Sequence, residues 1–240
     1  MRYVVTAEEM HRYDANTIEK IGIPGMVLME RAALAARDAV LRACDAVKPV
    51  LERPSVLIMA GVGNNGGDGL ALARLLADSN FDVTVWCVGP EDKASEQWNC
   101  QRKILRSYDV SFCDIPADKE YTILADALFG VGLSREVTGV YKEAIECFNR
   151  LSGYKIALDV PSGICSDSGK VLGCAVHADE TVTFAFAKRG LYLHPGYEYV
   201  GKLIIADIGI DEHAFMGCAP QFFCLDSPRE WLPALRKILP

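Results

Sequence analysis

Short apolar runs separated by helical stretches constrain the fold of this chain more than any other feature. The run Ser55–Ala60 follows a proline, contains no charged residue and ends at Gly61. A run of this length and punctuation is typical of a buried strand in a parallel sheet rather than of a helix. Similar runs predict five further strands, at residues 83–88, 121–124, 156–160, 181–184 and 203–206.

Helical patterns lie before and between these runs. Thr6 and Glu9 have the spacing of a capping box, which predicts a first helix that stops before Pro24 and Gly25. An Ala-, Leu- and Arg-rich stretch predicts a longer helix from residue 26 to about 47, and further helices are predicted at residues 70–79, 94–108 and 141–151. Strands that alternate with helices favour an α/β fold with a mostly parallel sheet covered on both faces. The chain has no Pro/Ser-rich linker and no charge block, so we expect a single domain over residues 1–240.

Composition excludes several classes of protein. Half of the 240 residues are hydrophobic, which rules out intrinsic disorder. The net charge of -7 disfavours non-specific binding to nucleic acid or to a membrane surface, and no run has the apolar length of a membrane span. Acidic residues near the N-terminus, and nine scattered cysteines without a C-x-x-C pair, favour a cytoplasmic protein with reduced thiols.

Polar residues concentrate where the predicted strands end. The first of these strands opens into Gly61-Val-Gly-Asn-Asn-Gly-Gly-Asp-Gly69, and Asp126, Asp159 and Asp207 lie at or beside the ends of three later strands. In open α/β sheets, ligands bind outside the carboxyl ends of the strands. The sequence therefore predicts a binding site at this edge of the sheet.

The glycine-rich loop suits more than one class of ligand. Gly61, Gly63 and Gly66 satisfy the pattern G-x-G-x-x-G between a strand and a helix, which is a weak signal by itself. A conventional NAD-dependent dehydrogenase also has an acidic residue at the end of its second strand, whereas this strand ends Cys87-Val-Gly-Pro90. The dehydrogenase interpretation therefore loses weight, although the glycines still allow backbone N–H groups to approach a phosphate at a helix N-terminus.

For several polar residues in these loops, the sequence allows two different roles. Asp68 is a site residue or the cap of the helix that follows it. Asp159 is a proton-transfer group or a structural aspartate bound to loop amides. Ser162 is a turn residue or, together with Asn65 and Asp126, an oxygen ligand of a hard cation.

Other candidate groups are weaker. Ser162 lies in Val-Pro-Ser-Gly and not in G-x-S-x-G, so a serine nucleophile is disfavoured. Cys174 and His177 are an isolated pair, which disfavours zinc. Lys188 and Arg189 form a small basic spot after the strand at residues 181–184, and their pattern favours a surface turn over a phosphate contact.

Four motifs occur together in a specific order and spacing. They are Gly61-Val-Gly-Asn-Asn-Gly-Gly-Asp-Gly69, Asp126-Ala-Leu-Phe-Gly-Val-Gly-Leu-Ser-Arg135, Ala157-Leu-Asp-Val-Pro-Ser-Gly163 and Asp207-Ile-Gly209. This combination resembles the YjeF N-terminal domain family, the NAD(P)H-hydrate epimerases. The resemblance runs from the first helix to about residue 212, so residues 213–240 are expected to be a C-terminal tail or the start of an interdomain linker. It implies a Rossmann-like three-layer α/β/α sandwich that interconverts the S and R forms of hydrated NADH and NADPH, a reaction of nicotinamide nucleotide repair.

The resemblance also implies roles for individual residues. It implies a potassium ion bound through Asn65, Asp126 and Ser162. Asp159 lies in the implied substrate site and is the candidate catalytic acid and base. The rest of that site comes from two loops, one with Asn64, Asn65, Gly66, Gly67 and Asp68, the other with Gly130, Val131, Gly132, Leu133, Ser134, Arg135 and Glu136.

Two rival functions stay open. Domains that resemble this family also occur as non-catalytic modules, in messenger-RNA decapping scaffolds and in an apolipoprotein-binding protein. An ordinary NAD(P)-dependent oxidoreductase is the second rival. The intact motifs favour the enzyme. The expected partners are a small-molecule substrate, a second copy of the chain bound through the long helix, and an ADP- or ATP-dependent dehydratase, fused or separate; neither nucleic acid nor a membrane is expected.

Overall fold

Ten strands form two sheets in the computed structural model, which describes residues 2–47 and 53–224. The strands are β1 (Arg2–Val5), β2 (Ser55–Ala60), β3 (Asp82–Cys87), β4 (Ser111–Cys113), β5 (Ile123–Ala127), β6 (Tyr154–Leu158), β7 (Glu180–Phe184), β8 (Ala187–Lys188), β9 (Lys202–Ala206) and β10 (Phe222–Cys224). The larger sheet has the order β4-β3-β2-β5-β6-β7-β9 with every pair parallel, and the smaller has the order β10-β1-β8. The predicted α/β fold with a mostly parallel sheet is confirmed.

Helices follow most of the strands. They are α1 (Ala7–Asn16), α2 (Gly25–Val47), α3 (Asn64–Ala77), α4 (Glu96–Leu105), α5 (Gly139–Arg150) and α6 (Tyr197–Val200). The predicted capping box begins α1, because the Glu9 N–H donates to the Thr6 hydroxyl and the Thr6 N–H donates to the Glu9 carboxylate at 2.8 Å. None of the helices in the described residues is long and apolar enough to cross a membrane.

Both faces of the sheet are buried, as a wholly apolar strand requires. Along β2, Val56 and Ile58 pack into a cluster shared with α2, α3 and α4, while Leu57 and Met59 pack into a second cluster shared with α5. Successive side chains of a strand point to opposite faces, so a strand between two helical layers has to be apolar at every position. This explains why these strands lack alternation in the sequence.

The long helix α2 lies against the sheet through small side chains. Its buried stripe consists of Ala32, Ala36, Ala39, Val40 and Ala43. These residues recur at the spacing of one helical face, and their short side chains let the helix backbone approach the strands closely. The arrangement brings the N-terminal turns of α2 beside the carboxyl ends of the strands.

The two ends of the described chain meet in the small sheet. Strand β1 pairs in parallel with β8, with Val5 opposite Lys188, and antiparallel with β10, with Arg2 opposite Cys224. Ala214 and Phe215 are buried in the main core. Residues 213–224 are therefore part of the folded structure and not a tail, whereas residues 225–240 of the expected tail lie outside the described residues.

The chain reverses its direction across the sheet between β2 and β5. From β2 it proceeds to β3 and β4 on one side, then returns to β5 and continues to β6, β7 and β9 on the other. The loops after β2 and β5 leave the sheet on opposite faces, and the crevice between them is where open α/β proteins bind ligands. The fold thus places the motifs at Gly61–Gly69 and Asp126–Arg135 on the two sides of this crevice.

Candidate active site

A cavity of about 690 Å³ opens at the carboxyl ends of the central strands. Its walls come from the loop after β2, the loop after β5, the ends of β6 and β7, and the two N-terminal helices. Of the expected substrate-site residues, those that line it are Asn64, Asn65, Asp68, Gly130, Val131, Gly132, Leu133, Ser134, Arg135 and Asp159. Gly66, Gly67 and Glu136 are not among its lining residues.

The helix α3 begins inside the glycine-rich motif. Gly63 occupies the N-cap position and Asn64 is the first helical residue, so the helix starts six residues before Leu70 and Asp68 is not its cap. Position 66 requires glycine because the backbone carbonyl of Gly61 lies so close that a Cβ at this position would overlap it. The outcome is a helix N-terminus with free N–H groups at the cavity wall, a favourable position for an anion.

Asp159 lies directly after β6 in an unusual backbone conformation. Its φ is 68°, in the left-handed region, and the N–H of Val160 donates across it to the carbonyl of Leu158 at 2.9 Å. One carboxylate oxygen, Oδ2, accepts the N–H of Val131 at 3.0 Å. Non-glycine residues with positive φ cost free energy and cluster at functional sites.

Lys188 was not expected at this site. Its side chain is only 1% exposed, and its Nζ lies 2.5 Å from Oδ1 of Asp159. The interpretation of Lys188 as part of a surface turn was wrong. Two adjacent basic residues after a strand usually indicate solvent exposure, and only the folded structure brings Asp159 to Lys188 from 29 positions earlier.

Two more carboxyl groups face the same cavity. Burial raises the pKa of Asp68 well above its usual value, with further raising contributions from the Asp159 and Asp14 charges and an opposing contribution from Lys188. Burial also raises the pKa of Asp14, against a lowering contribution from His11. The site therefore combines an ion-paired carboxylate with carboxyl groups that hold protons more tightly than in water.

Asp126 and Ser162 form a buried hydrogen-bonded pair behind the cavity wall. The Ser162 hydroxyl donates to Oδ1 of Asp126 at 2.6 Å, and the Ser162 N–H donates to Oδ2 at 2.8 Å. The same hydroxyl accepts the N–H of Phe129 at 2.8 Å, so the turn interpretation of Ser162 is incomplete. Burial raises the pKa of Asp126 to about 6, against lowering contributions from its hydrogen bonds to Ser162 and Leu128.

Asn65, Asp126 and Ser162 carry oxygens of the kinds that hard cations bind. The side-chain Oδ1 of Asn65 is buried and has no hydrogen-bond partner among the described residues, while its Nδ2 donates to the carbonyl of Leu158 at 3.3 Å. Asp126 is fully buried. Amide, carboxylate and hydroxyl oxygens are ligands of hard cations, and an orphaned buried acceptor is costly unless something binds it. In residues 2–47 and 53–224 no cluster of three or more His, Cys, Asp or Glu has the geometry of a metal site.

The first two helices form a wall of the cavity that the sequence motifs do not predict. Met10, His11 and Asp14 of α1, and Leu28 and Met29 of α2, line the cavity. They carry no motif, and their amphipathic pattern alone predicts only helices. Conversely, the strand-end Asp207 is 81% exposed and pairs with Arg31, so it does not line the cavity, although Ile208 and Ile210 beside it do.

The fold and the cavity together define a parallel α/β protein with a cavity at its topological switch point. The family model described as YjeF-related protein N-terminus matches residues 25–190. The chain belongs to this family.

Relatives support the same assignment over most of the chain. A protein of Limosilactobacillus reuteri named NAD(P)H-hydrate epimerase is 44% identical over 205 residues, which is 85% of this chain and 94% of that protein. A protein of Oenococcus oeni with the same name is 40% identical over 209 residues, covering 87% and 97%. The crystal structure of the yeast protein YNL200c superposes with a TM-score of 0.76 at 20% identity, covering 94% of this chain and 97% of that one. At that identity the likeness concerns the fold alone.

Proposed function

We propose that this chain is an NAD(P)H-hydrate epimerase, which interconverts the S and R forms of NADH and NADPH hydrated at C6 of the nicotinamide ring. The observation that carries the proposal is the cavity at the switch point, where a free helix N-terminus faces a set of carboxyl groups. The first suits a pyrophosphate and the second suits proton transfer to and from a hydroxyl group on the ring. The relatives at 40–44% identity that bear this name support the same activity.

Substrate binding is assigned to the two loops on either side of the crevice. The N-terminal turn of α3, with Asn64 and Asn65, offers backbone N–H groups and side-chain amides to the pyrophosphate. The second loop, from Gly130 to Glu136, supplies further backbone groups together with Arg135. Gly66 and Gly67 serve this site by allowing α3 to pack closely, since a Cβ on Gly67 would overlap Met29.

The chemical step is assigned to Asp159. Epimerisation at C6 requires the hydroxyl to leave as water, assisted by the lone pair of the adjacent ring nitrogen, and water to return to either face. Asp159 in its protonated form gives a proton to the departing hydroxyl, and in its ionised form takes one from the incoming water. A positioned proton-transfer group of this kind is worth roughly 10²–10⁴ in rate.

We also propose that Asn65, Asp126 and Ser162 hold a potassium ion. The orphaned Asn65 oxygen and the buried Asp126 carboxylate support this assignment. A bound potassium ion would supply a positive charge that offsets the buried carboxylate and fixes the loops around it.

The remaining assignments concern the cellular context. We propose one domain, a cytoplasmic location, a homodimer through α2, and a fused or separate ADP- or ATP-dependent dehydratase as partner. All nine cysteines are free, which suits a reducing compartment. Mass measurement of the native protein and co-purification with such a dehydratase test the two partner assignments.

The proposed function is tested by incubating the protein with purified NADPH hydrate and measuring the S/R ratio over time by chromatography. The wild-type protein is expected to bring either pure epimer to the same final ratio. Asp159→Asn should lower kcat by roughly 10²–10⁴-fold. Asp207→Asn is the matched control, because this strand-end aspartate is 81% exposed and does not line the cavity, and it should keep wild-type turnover.

Two outcomes contradict the proposal. A wild-type protein that binds the hydrate but leaves its epimers unchanged is a non-catalytic module. Near-normal turnover by Asp159→Asn in an active protein removes the assigned role of Asp159.

A further inference from the structure

Lys188 is a buried lysine that lines the cavity. Besides Oδ1 of Asp159 at 2.5 Å, its Nζ contacts the hydroxyl of Thr183 at 3.0 Å and the carbonyl of Phe184 at 2.8 Å. An ammonium group has three N–H donors, and three oxygens surround this one. Every donor therefore has a partner, which offsets the cost of removing the charge from water.

The fold brings Lys188 to this position through a tight turn after β7. Ala185 has a φ of 60°, and the N–H of Phe186 donates back across it to Phe184 at 2.8 Å. The chain then enters β8, which is held in parallel pairing by β1. Lys188 closes this turn by donating to the last carbonyl of β7, so its ammonium group is fixed relative to the sheet.

The contacts of Asp159 leave its carboxylate little freedom. Lys188 holds Oδ1, the Val131 N–H holds Oδ2 at 3.0 Å, and a Cβ on Gly130 would lie 2.9 Å from Oδ2. The left-handed backbone at Asp159 makes this anchoring necessary, because an L-residue relaxes from positive φ unless its surroundings prevent it. Lys188 is the charged member of that anchoring.

We propose that Lys188 is a positioning residue of the epimerase, holding the Asp159 carboxyl group in the orientation in which it exchanges a proton with water at C6. This inference rests on the proposed function and adds a residue to it. The contact of the ammonium group with Oδ1 restricts rotation of the Asp159 carboxyl group about its Cβ–Cγ bond. Lys188 itself transfers no proton to the substrate in this scheme.

Other charges also act on Asp159. Asp68 of α3 and Asp14 of α1 line the same cavity, and the interaction between Asp68 and Asp159 raises the pKa of Asp68. Removing the Lys188 charge would leave Asp159 facing these two carboxyl groups without a cation in contact. The pH dependence of turnover is therefore a direct readout of the role of Lys188.

The test compares Lys188→Met with Lys155→Met in the epimer assay. Lys155 is a half-buried lysine of β6, at the end of the strand opposite to Asp159, so it controls for loss of a lysine near the sheet. Lys188→Met is expected to lower kcat by roughly 10²-fold with KM changed less than about threefold. The pH profile of kcat should differ from that of the wild-type protein, because the charge in contact with the Asp159 carboxyl group is removed. Lys155→Met should match the wild-type protein in all three quantities.

Because an unpaired buried carboxylate destabilises the folded state, Lys188→Met is accompanied by Thr183→Val. Thr183→Val removes one of the three oxygens around Nζ and also the hydroxyl that donates to Oδ1 of Asp159 at 3.4 Å, while keeping both charges. It is expected to lower kcat several-fold at unchanged KM. A folded Lys188→Met protein with wild-type kcat and an unshifted pH profile overturns the proposal. If Lys188→Met does not fold, unchanged kcat in Thr183→Val overturns it. An inactive wild-type protein instead overturns the proposed function, so the two failures are distinct.

Discussion

Replacing Ser162 by alanine tests the construction of the buried site behind the cavity. The substitution removes a hydroxyl that donates to Asp126 at 2.6 Å and accepts the N–H of Phe129 at 2.8 Å. A hydrogen bond to a charged group contributes roughly 1.5–3 kcal/mol, and a buried N–H without a partner costs roughly 1–3 kcal/mol. Allowing for relaxation, the free energy of unfolding should fall by about 2–4 kcal/mol.

Ser166→Ala is the matched control. Ser166 is also buried, but its hydroxyl makes a single hydrogen bond to the neutral carbonyl of Val131 at 3.1 Å. The loss there should be about 0.5–1.5 kcal/mol. Guanidinium unfolding followed by circular dichroism measures both values. A loss in Ser162→Ala no larger than that in Ser166→Ala refutes the hydrogen-bond reasoning.

The same two proteins test the potassium assignment. A ligand that binds only the folded state stabilises it by RT ln(1 + [L]/Kd), which is about 1.4 kcal/mol at ten times Kd. The wild-type protein and Ser166→Ala should melt at higher temperature in potassium chloride than in choline chloride of equal ionic strength. Ser162→Ala should lose most of this difference. An undiminished difference in Ser162→Ala contradicts Ser162 as a ligand.

Three further predictions concern packing, pH and thiols. Gly66→Ala should lower the free energy of unfolding by roughly 1–3 kcal/mol, because the added Cβ meets a backbone carbonyl. In the control Gly63→Ala the added Cβ meets nothing within 4 Å, so the loss should be less than about 1 kcal/mol. Equal losses of the two variants in chemical denaturation contradict this packing argument. Burial raises the pKa of Asp68, so the folded state binds that proton more tightly than the unfolded chain and loses stability as the pH rises through the folded pKa. The melting temperature of Asp68→Asn should therefore fall less than that of the wild type between pH 5 and about pH 9. Parallel curves of melting temperature against pH for the two proteins would argue against this reasoning. Burial raises the pKa of the Cys44 thiol to about 11, so at pH 8 only about 10⁻³ of this thiol is ionised. A thiol reagent should therefore label the exposed Cys100 in the native protein but label Cys44 only after unfolding, as mass spectrometry of the labelled peptides can check.

Much of the larger sheet was predictable because burial on both faces leaves an unbroken apolar run. Strand β2 was predicted with its observed bounds, and β3 differs by one residue at each end. Strand β5 was predicted to end at Leu124 and continues to Ala127, because aspartate is rare inside strands and Asp126 looked like the residue after the end. A buried polar site here overrides the strand propensity of that position.

The short strands were not predictable. Strands β1, β4, β8 and β10 have two to four residues each, too few to show a period. They form because partners distant in sequence offer free backbone groups. The start of α3 was missed for a related reason, since the glycines around Asn64 disfavour a helix locally and are required by the close packing of that helix.

The candidate site was predictable in its loops and not in its ion pair. Strand ends followed by Asp or Gly pointed to the edge of the sheet where the cavity lies, and Asp159 lines that cavity. The placement of Lys188 depends on the turn at Ala185 and on pairing with β1, neither of which leaves a mark in the sequence. Charge alone favours exposure for a lysine, and only a tertiary partner reverses that preference.

The pairing of β1 with β8 shows that the folded structure extends beyond the segment that the family model matches. The family model covers residues 25–190, but the strand that supports Lys188 lies at residues 2–5, and the helix that walls the cavity beside it lies at residues 7–16. Strand β9, which borders the large sheet, also lies beyond residue 190. An expression segment trimmed to the recognisable motif would keep the proposed substrate-binding and potassium-binding residues and lose the structural support of the lysine beside them. Segment boundaries for this family are therefore better placed by strand pairing than by sequence similarity.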